Sequence, residues 1–209
     1  MNILAIGAHF DDIELGCGGT LARHAAKGDK VTAFVATRSG FSDPSAKAIR
    51  SDASALSEGE KALSLLGAKL VCGGFKTFRV EFGEKLNRKI LSIIEKEKIE
   101  RVYTHWSQDS HHDHRAVSLA SLHCAKHVPQ VLMYRSNWYK TAAQFKGNFY
   151  SDISAFLARK DAAIRCHRSE MKRTGGKWLR YYRCEAEKAG IEAGLKYAEV
   201  FEALKWTER

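Results

Sequence analysis

The stretch Ala5–Gly19, AIGAHFDDIELGCGG, places one imidazole and three carboxylates (His9, Asp11, Asp12 and Glu14) directly behind the hydrophobic run Ile3–Ile6. The run reads as a buried strand, and Gly16, Gly18 and Gly19 read as the opening of a helix. The polar cluster therefore stands at the C-terminal end of a first strand, where open α/β sheets bind their ligands. One imidazole among several hard oxygens suits a divalent metal, provided that another histidine arrives from elsewhere in the chain.

Downstream, TLARHAAKG continues the helix to a stop at Gly28, and Asp29–Thr37 reads as a second strand. A β-α-β opening of this length implies parallel pairing and a right-handed crossover. Arg38–Lys47 is a turn-rich loop on the ligand side. Arg38 and Arg50 flank it, as anion contacts or as plain surface residues. Ile49–Leu66 has helical spacing with Gly67 at C′, KLVC is a third strand, and Glu84–Lys98 is the clearest amphipathic helix.

The fourth strand, IERVYTH, ends at His105 and is followed by WSQDSHHDHRAV. Ser107–His112 is polar and aperiodic, and a helix begins at about Asp113. His111, His112 and His114 thus occupy the same kind of strand-to-helix junction as His9. Two such loops facing each other across a crevice would bring in the distant histidine. QVLMYRS and GNFYSDIS read as two further strands, Ser151–Arg168 contains a helix, and the chain ends as a helix with a closing strand around Tyr197–Leu204. This alternation predicts an α/β fold, a three-layer sandwich around a mostly parallel sheet.

The 209 residues suit a single domain over 1–209, since single cores extend to roughly 250 residues. No apolar run approaches the ~18 residues of a membrane span, and no basic segment precedes the first hydrophobic stretch. The five cysteines are scattered with no C-x-x-C pair, as expected for reduced thiols in a cytoplasmic protein. The net charge of +10 favours anionic partners. Its densest part, Arg159–Arg183, interleaves Arg and Lys with Trp178, Tyr181 and Tyr182. It reads as a solvated helix face, an entrance for an anionic substrate, or a single-stranded nucleic-acid surface. Exposed aromatics near the C-terminus could also form a homo-oligomer contact. The glycine spacing is not G-x-G-x-x-G, which argues against a dinucleotide site.

Two histidines and a carboxylate on zinc leave one coordination position open, the arrangement of hydrolytic sites. In HFDD, adjacent Asp11 and Asp12 point differently, so one can bind metal while the other takes a proton from water. In HHDH, either His111 or His114 could ligate while the other donates a hydrogen bond to a developing oxyanion and protonates the leaving group. Asp113 could orient a neighbouring imidazole. Glu14 reads equally as support for the site and as a helix N-terminal charge. His105 is the best outer-sphere candidate, whereas His24, His123, His127 and His167 read as structural.

AHFDDIELGCGGTLA resembles the AHPDDxE signature of the PIG-L/LmbE-like deacetylases, and THWSQDSHHDHRAV resembles their second motif, ending HPDHRAV. The resemblance implies a Rossmann-like fold and a zinc-dependent N-deacetylase acting on an N-acetylated amino-sugar or glycoconjugate, with an anionic conjugate favoured by the basic surface. Carried over by motif position, it implies His9, Asp12 and His114 as metal ligands and Asp11 as general base. His111 becomes the oxyanion stabiliser and acid, tuned by Asp113. Fe²⁺ or Co²⁺ would fit the same ligand set. Phe10 and His112 replace the prolines of the two motifs, and Phe10 is expected to shape the substrate pocket. The rival functions are hydrolysis of a non-sugar N-acyl small molecule and, in another class, a basic nucleic-acid-binding module.

Overall fold

The computed structural model describes residues 1–208. The first half of the chain runs β1 (Asn2–Gly7), α1 (Asp12–Ala26), β2 (Lys30–Thr37), β3 (Phe41–Ser42), β4 (Ala48–Arg50), α2 (Asp52–Leu65), β5 (Ala68–Phe75) and α3 (Glu84–Lys96). It continues with β6 (Arg101–His105), α4 (His112–Cys124), β7 (Gln130–Tyr134), β8 (Phe149–Asp152), α5 (Leu157–Cys166), α6 (Arg168–Thr174), α7 (Lys177–Glu192) and β9 (Ala198–Trp206). The main sheet has the order β5-β2-β1-β6-β7-β9-β8. Its first five strands are parallel, and β9 pairs antiparallel with both β7 and β8.

Alternation along β1 builds two cores at once. Ile3 and Ala5 join Leu21 of α1, Leu63 of α2 and Ala163 of α5. Leu4 and Ile6 face Ile90 of α3 and Val117 of α4. A central strand apolar on both faces requires a layer of helices on each side, and the result is the expected α/β/α sandwich. The connections from β1 run outward to β2 and β5 in one direction, and later to β6 and β7 in the other. The switch point therefore lies between β1 and β6, the strands that carry the two motifs at their C-terminal ends.

Three local expectations are corrected. The glycine cluster does not open α1, which begins at Asp12 and kinks at Cys17 (φ −144°). These glycines allow close approach instead: a Cβ on Gly16 would lie 2.1 Å from the Tyr134 ring. The kink frees backbone groups, so Gly19 and Thr20 donate their N–H groups to Glu199, and buried Lys160 donates to Leu15 O and to Glu199. The loop Arg38–Lys47 contains half of a small hairpin, β3–β4. The helix expected from Ile49 starts at Asp52, because the Ser51 side chain accepts the Ser54 N–H and caps it there. Gly67, at φ 74°, ends that helix as expected. Among the described residues all five cysteines are free, and no helix is long and apolar enough to cross a membrane.

Candidate metal centre and catalytic pocket

At the β1/β6 switch point, His9 Nδ1 lies 3.2 Å from His114 Nε2 and 3.3 Å from Asp12 Oδ2. His114 Nε2 lies 3.2 Å from Asp12 Oδ1. Metal–nitrogen bonds of about 2.0–2.1 Å at tetrahedral angles place ligand atoms roughly 3.3 Å apart; the His9–His114 pair has that spacing, and Asp12 meets each ring at a similar distance through a different oxygen. His114 is shared by two overlapping donor clusters, one with His9 and His111, the other with Asp12 and His105.

The electrostatics also call for positive charge. Burial opposes protonation of His9, yet hydrogen bonds to Asp113 and Asp12 raise it to about 9. Burial likewise opposes protonation of His114, and Asp12 and Asp109 raise it to about 10. Asp12 stays ionised: burial works against this, but His114 and His105 hold it well below the usual carboxylate range. The carboxylates that favour protonated imidazoles here would equally favour a cation between them.

Each imidazole is aimed by a carboxylate. His9 Nε2 lies 3.0 Å from Asp113 Oδ2, while the Asp113 oxygens accept the N–H groups of Phe78 and Val80. His114 Nδ1 lies 3.2 Å from Asp109 Oδ2, and Asn137 Nδ2 donates to both Asp109 oxygens at 2.7 and 2.8 Å. His105 stacks on His114, with ring centroids 4.0 Å apart, and accepts the Ala8 N–H.

The Asp113 carboxylate is turned to His9 and acts on His111 only through its charge, which opposes the downward shift of that ring. His111 Nδ1 instead accepts the Asp113 backbone N–H and caps α4. Burial, with His9 and His114 nearby, lowers His111 to about 3. The ring is therefore neutral, with its proton on Nε2. His112 is exposed, its Nε2 3.2 Å from Asp113 Oδ1.

Asp11 sits at the N-cap of α1 without using its side chain as a cap, at φ 126°. That backbone strain is typical of a residue held for its chemistry. Its carboxylate meets the buried Arg50 instead, Nη1 to Oδ2 at 3.2 Å. Burial first, then the neighbouring charge of Asp12, raises Asp11 to about 7 against the pull of Arg50. Arg50 is thus no surface residue; it also donates to Phe10 O, Glu58 and His167 Nδ1. His167 in turn holds Glu14 at 2.9 Å, which makes Glu14 part of the support beneath the site.

These groups open into a cavity of about 390 Å³ walled by Phe41, Phe78, Trp138, Tyr139 and Trp178. Phe10 is not on that wall. It is buried in the core against Gly59. Reading the sequence missed Asp109 and Asn137. The signal for Asp109 was a carboxylate two residues before the first histidine of HHDH; Asn137 had none.

The family profile described as PIG-L, GlcNAc-PI de-N-acetylase, matches residues 4–125. An uncharacterized deacetylase from Escherichia coli K12, YaiS, is 36% identical over 182 residues, covering 80% of this chain and 90% of that protein. The fold is similar to that of N,N'-diacetylchitobiose deacetylase from Pyrococcus horikoshii, with TM-score 0.82 and 23% identity over 97% of this chain and 83% of that one. It is equally similar to GalB, the 4-carboxy-2-hydroxymuconate hydratase of Pseudomonas putida KT2440, with TM-score 0.82 and 17% identity over 100% of this chain and 98% of that one.

Proposed function

The chain belongs to the PIG-L/LmbE-like deacetylase family, and we propose on that premise that it removes the acetyl group from the nitrogen of an N-acetylated amino-sugar or its conjugate. Family and buried His/Asp cluster together support the broader description, a metal-dependent hydrolase of amide bonds. Fold alone does not carry the reading, since a hydratase shares it. One observation does: His9, Asp12 and His114 converge within 3.3 Å beneath a cavity into which Asp11 brings a carboxylate free of any capping bond.

His9, Asp12 and His114 would hold the divalent cation, zinc by donor type with Fe²⁺ or Co²⁺ also suited, and once bound it supplies Lewis acidity to a water molecule and to the amide carbonyl. Asp113 and Asp109 hold the two imidazoles with a ring nitrogen turned inward. Asp11, on the cavity wall with its carboxylate held by Arg50, is placed to receive the proton of the attacking water. His111 presents its Nε2–H to the oxygen as charge develops there. The proton that the leaving amine needs is balanced by the one Asp11 takes from the water, with His111 beside it on the cavity wall.

A cavity of about 390 Å³ with aromatic walls is large enough to enclose a sugar ring. The basic segment Arg159–Arg183 contributes Glu170, Arg173 and Trp178 to that wall, which favours a small-molecule pocket over a nucleic-acid surface. We read residues 1–209 as one domain, a reading supported by β1 and β9 lying in the same sheet. The test is acetate release from N-acetylglucosamine and its glycosides. Activity that survives both chelation and Asp11→Asn would overturn the mechanism. Release from simple N-acyl amines but not from the sugars would overturn the substrate class.

A further inference from the structure

Among the described residues, and besides His114 Nδ1, which faces Asp109 Oδ2 at 3.2 Å, Arg50 Nε, Thr77 Oγ1 and Glu170 Oε1 are buried polar atoms without a hydrogen-bond partner, and all three residues line the catalytic cavity. They come from separate places: the end of β4, the loop after β5, and α6. Buried polar groups are ordinarily paired, so several orphans on one cavity mark a place where partners arrive with a ligand. Their chemistry is complementary. Arg50 Nε can only donate, a carboxylate oxygen accepts, and the Thr77 hydroxyl does either.

Glu170 is the most informative. Its Oε2 accepts Arg173 Nε at 2.6 Å, which fixes the carboxylate and leaves Oε1 unused. Neither Glu170 nor Thr77 bonds His9, Asp12, His114 or Asp11; Glu170 reaches the mechanism only through its charge, which helps to raise Asp11 and acts alike on every substrate. Around them the wall is aromatic: Phe78 stacks on His111 with centroids 5.5 Å apart, and Arg173 lies over both Phe41 and Trp178. Apolar faces with a few fixed polar atoms suit a ring that is apolar on its faces and hydroxylated at its edge.

Resting on the amino-sugar reading above, we propose that Thr77 and Glu170 are specificity-determining residues that hydrogen-bond hydroxyl groups of the hexose ring, Glu170 Oε1 as the acceptor. A site that reserves buried polar atoms for hydroxyls discriminates against analogues lacking them, because those atoms then stay unpaired. The pocket therefore selects a free polyol edge as well as an N-acetyl group.

The experiment compares metal-loaded wild type, Glu170→Gln and the near-isosteric Thr77→Val, with Thr77→Ser as rescue. Acetate release is measured from N-acetylglucosamine and its 3-deoxy and 4-deoxy analogues, and glucosamine binding by calorimetry. Thermal melting reports folding. Each substitution should lower kcat/KM for N-acetylglucosamine by roughly 10- to 100-fold. It should have much less effect on the analogue lacking the hydroxyl concerned, and Thr77→Ser should recover most of the loss. Well-folded variants that match wild type, or that lose activity equally on the sugar and both analogues, would overturn the proposal. Wild type that binds glucosamine, with weaker binding in the variants, but releases no acetate would sink the deacetylase reading and leave this one standing. Wild type that does neither would overturn both.

Discussion

His9 Nδ1 stands 3.2 Å from His114 Nε2 although 105 residues separate them in the chain. The meeting follows from topology. β1 and β6 pair in parallel, so the loops after them emerge at the same edge of the sheet, and Asp12 is one helical start away from both rings. A pair of imidazoles backed by Asp113 and Asp109 is organised to hold a positive charge.

Metal uptake should displace protons. His9 and His114 lie near 9 and 10 without metal, so at pH 7 protons must leave before both rings can ligate. Apparent affinity should therefore rise as pH is raised from 6 towards 9. Calorimetry in buffers of different ionisation enthalpy should show net proton release. A pH-independent affinity would contradict the raised values.

Asp11→Asn should reduce acetate release about 10²- to 10⁴-fold while leaving metal content unchanged. The same variant makes a stability prediction. Asp11 is raised from its ordinary 3.8 to about 7, so between those values the folded state keeps a proton that the unfolded chain has released. Stability then falls as pH rises through that window. Metal-free wild type should lose stability from pH 4 to 7 relative to Asp11→Asn, as followed by denaturant titration. Parallel pH profiles would argue against a buried, raised carboxylate.

Asp109→Asn should weaken metal binding about 10- to 100-fold without removing a ligand, because His114 loses the carboxylate that aims it. Competition against a chromogenic chelator measures this. Asn137→Ala should shift affinity in the same direction by less, since it acts on His114 only through Asp109.

Gly16→Ala should destabilise the fold by about 1–3 kcal/mol through overpacking, since its Cβ would fall 2.1 Å from the Tyr134 ring. Thermal or denaturant unfolding reads the effect directly. An unchanged midpoint would show that Tyr134, whose hydroxyl donates to Ile6 O, can move aside.

Much of this was legible before any coordinates. Hydrophobic runs at Ile3–Ile6 and IERVYTH gave two strand ends, and the switch-point rule then brought His9 and His114 together. What escaped depended on side-chain direction. Phe10 was expected at the pocket because it lies between His9 and Asp11, but the strained backbone at Asp11 accompanies a turn that buries it against Gly59. Asp113 was expected to serve the adjacent His111, but α4 aims its carboxylate back at His9. Arg50 and Asn137 carried no local pattern, since their partners lie 39 and 28 residues away. Periodicity likewise could not show that the final strand enters the sheet antiparallel between β7 and β8.

The most direct test is metal content per chain in wild type, Asp11→Asn and His114→Ala, each exposed to zinc and dialysed. The expected result is about one ion, about one ion and close to none, respectively, with acetate release confined to wild type. Equal zinc in wild type and His114→Ala, or full activity in metal-stripped protein, would contradict a catalytic metal held by His9, Asp12 and His114.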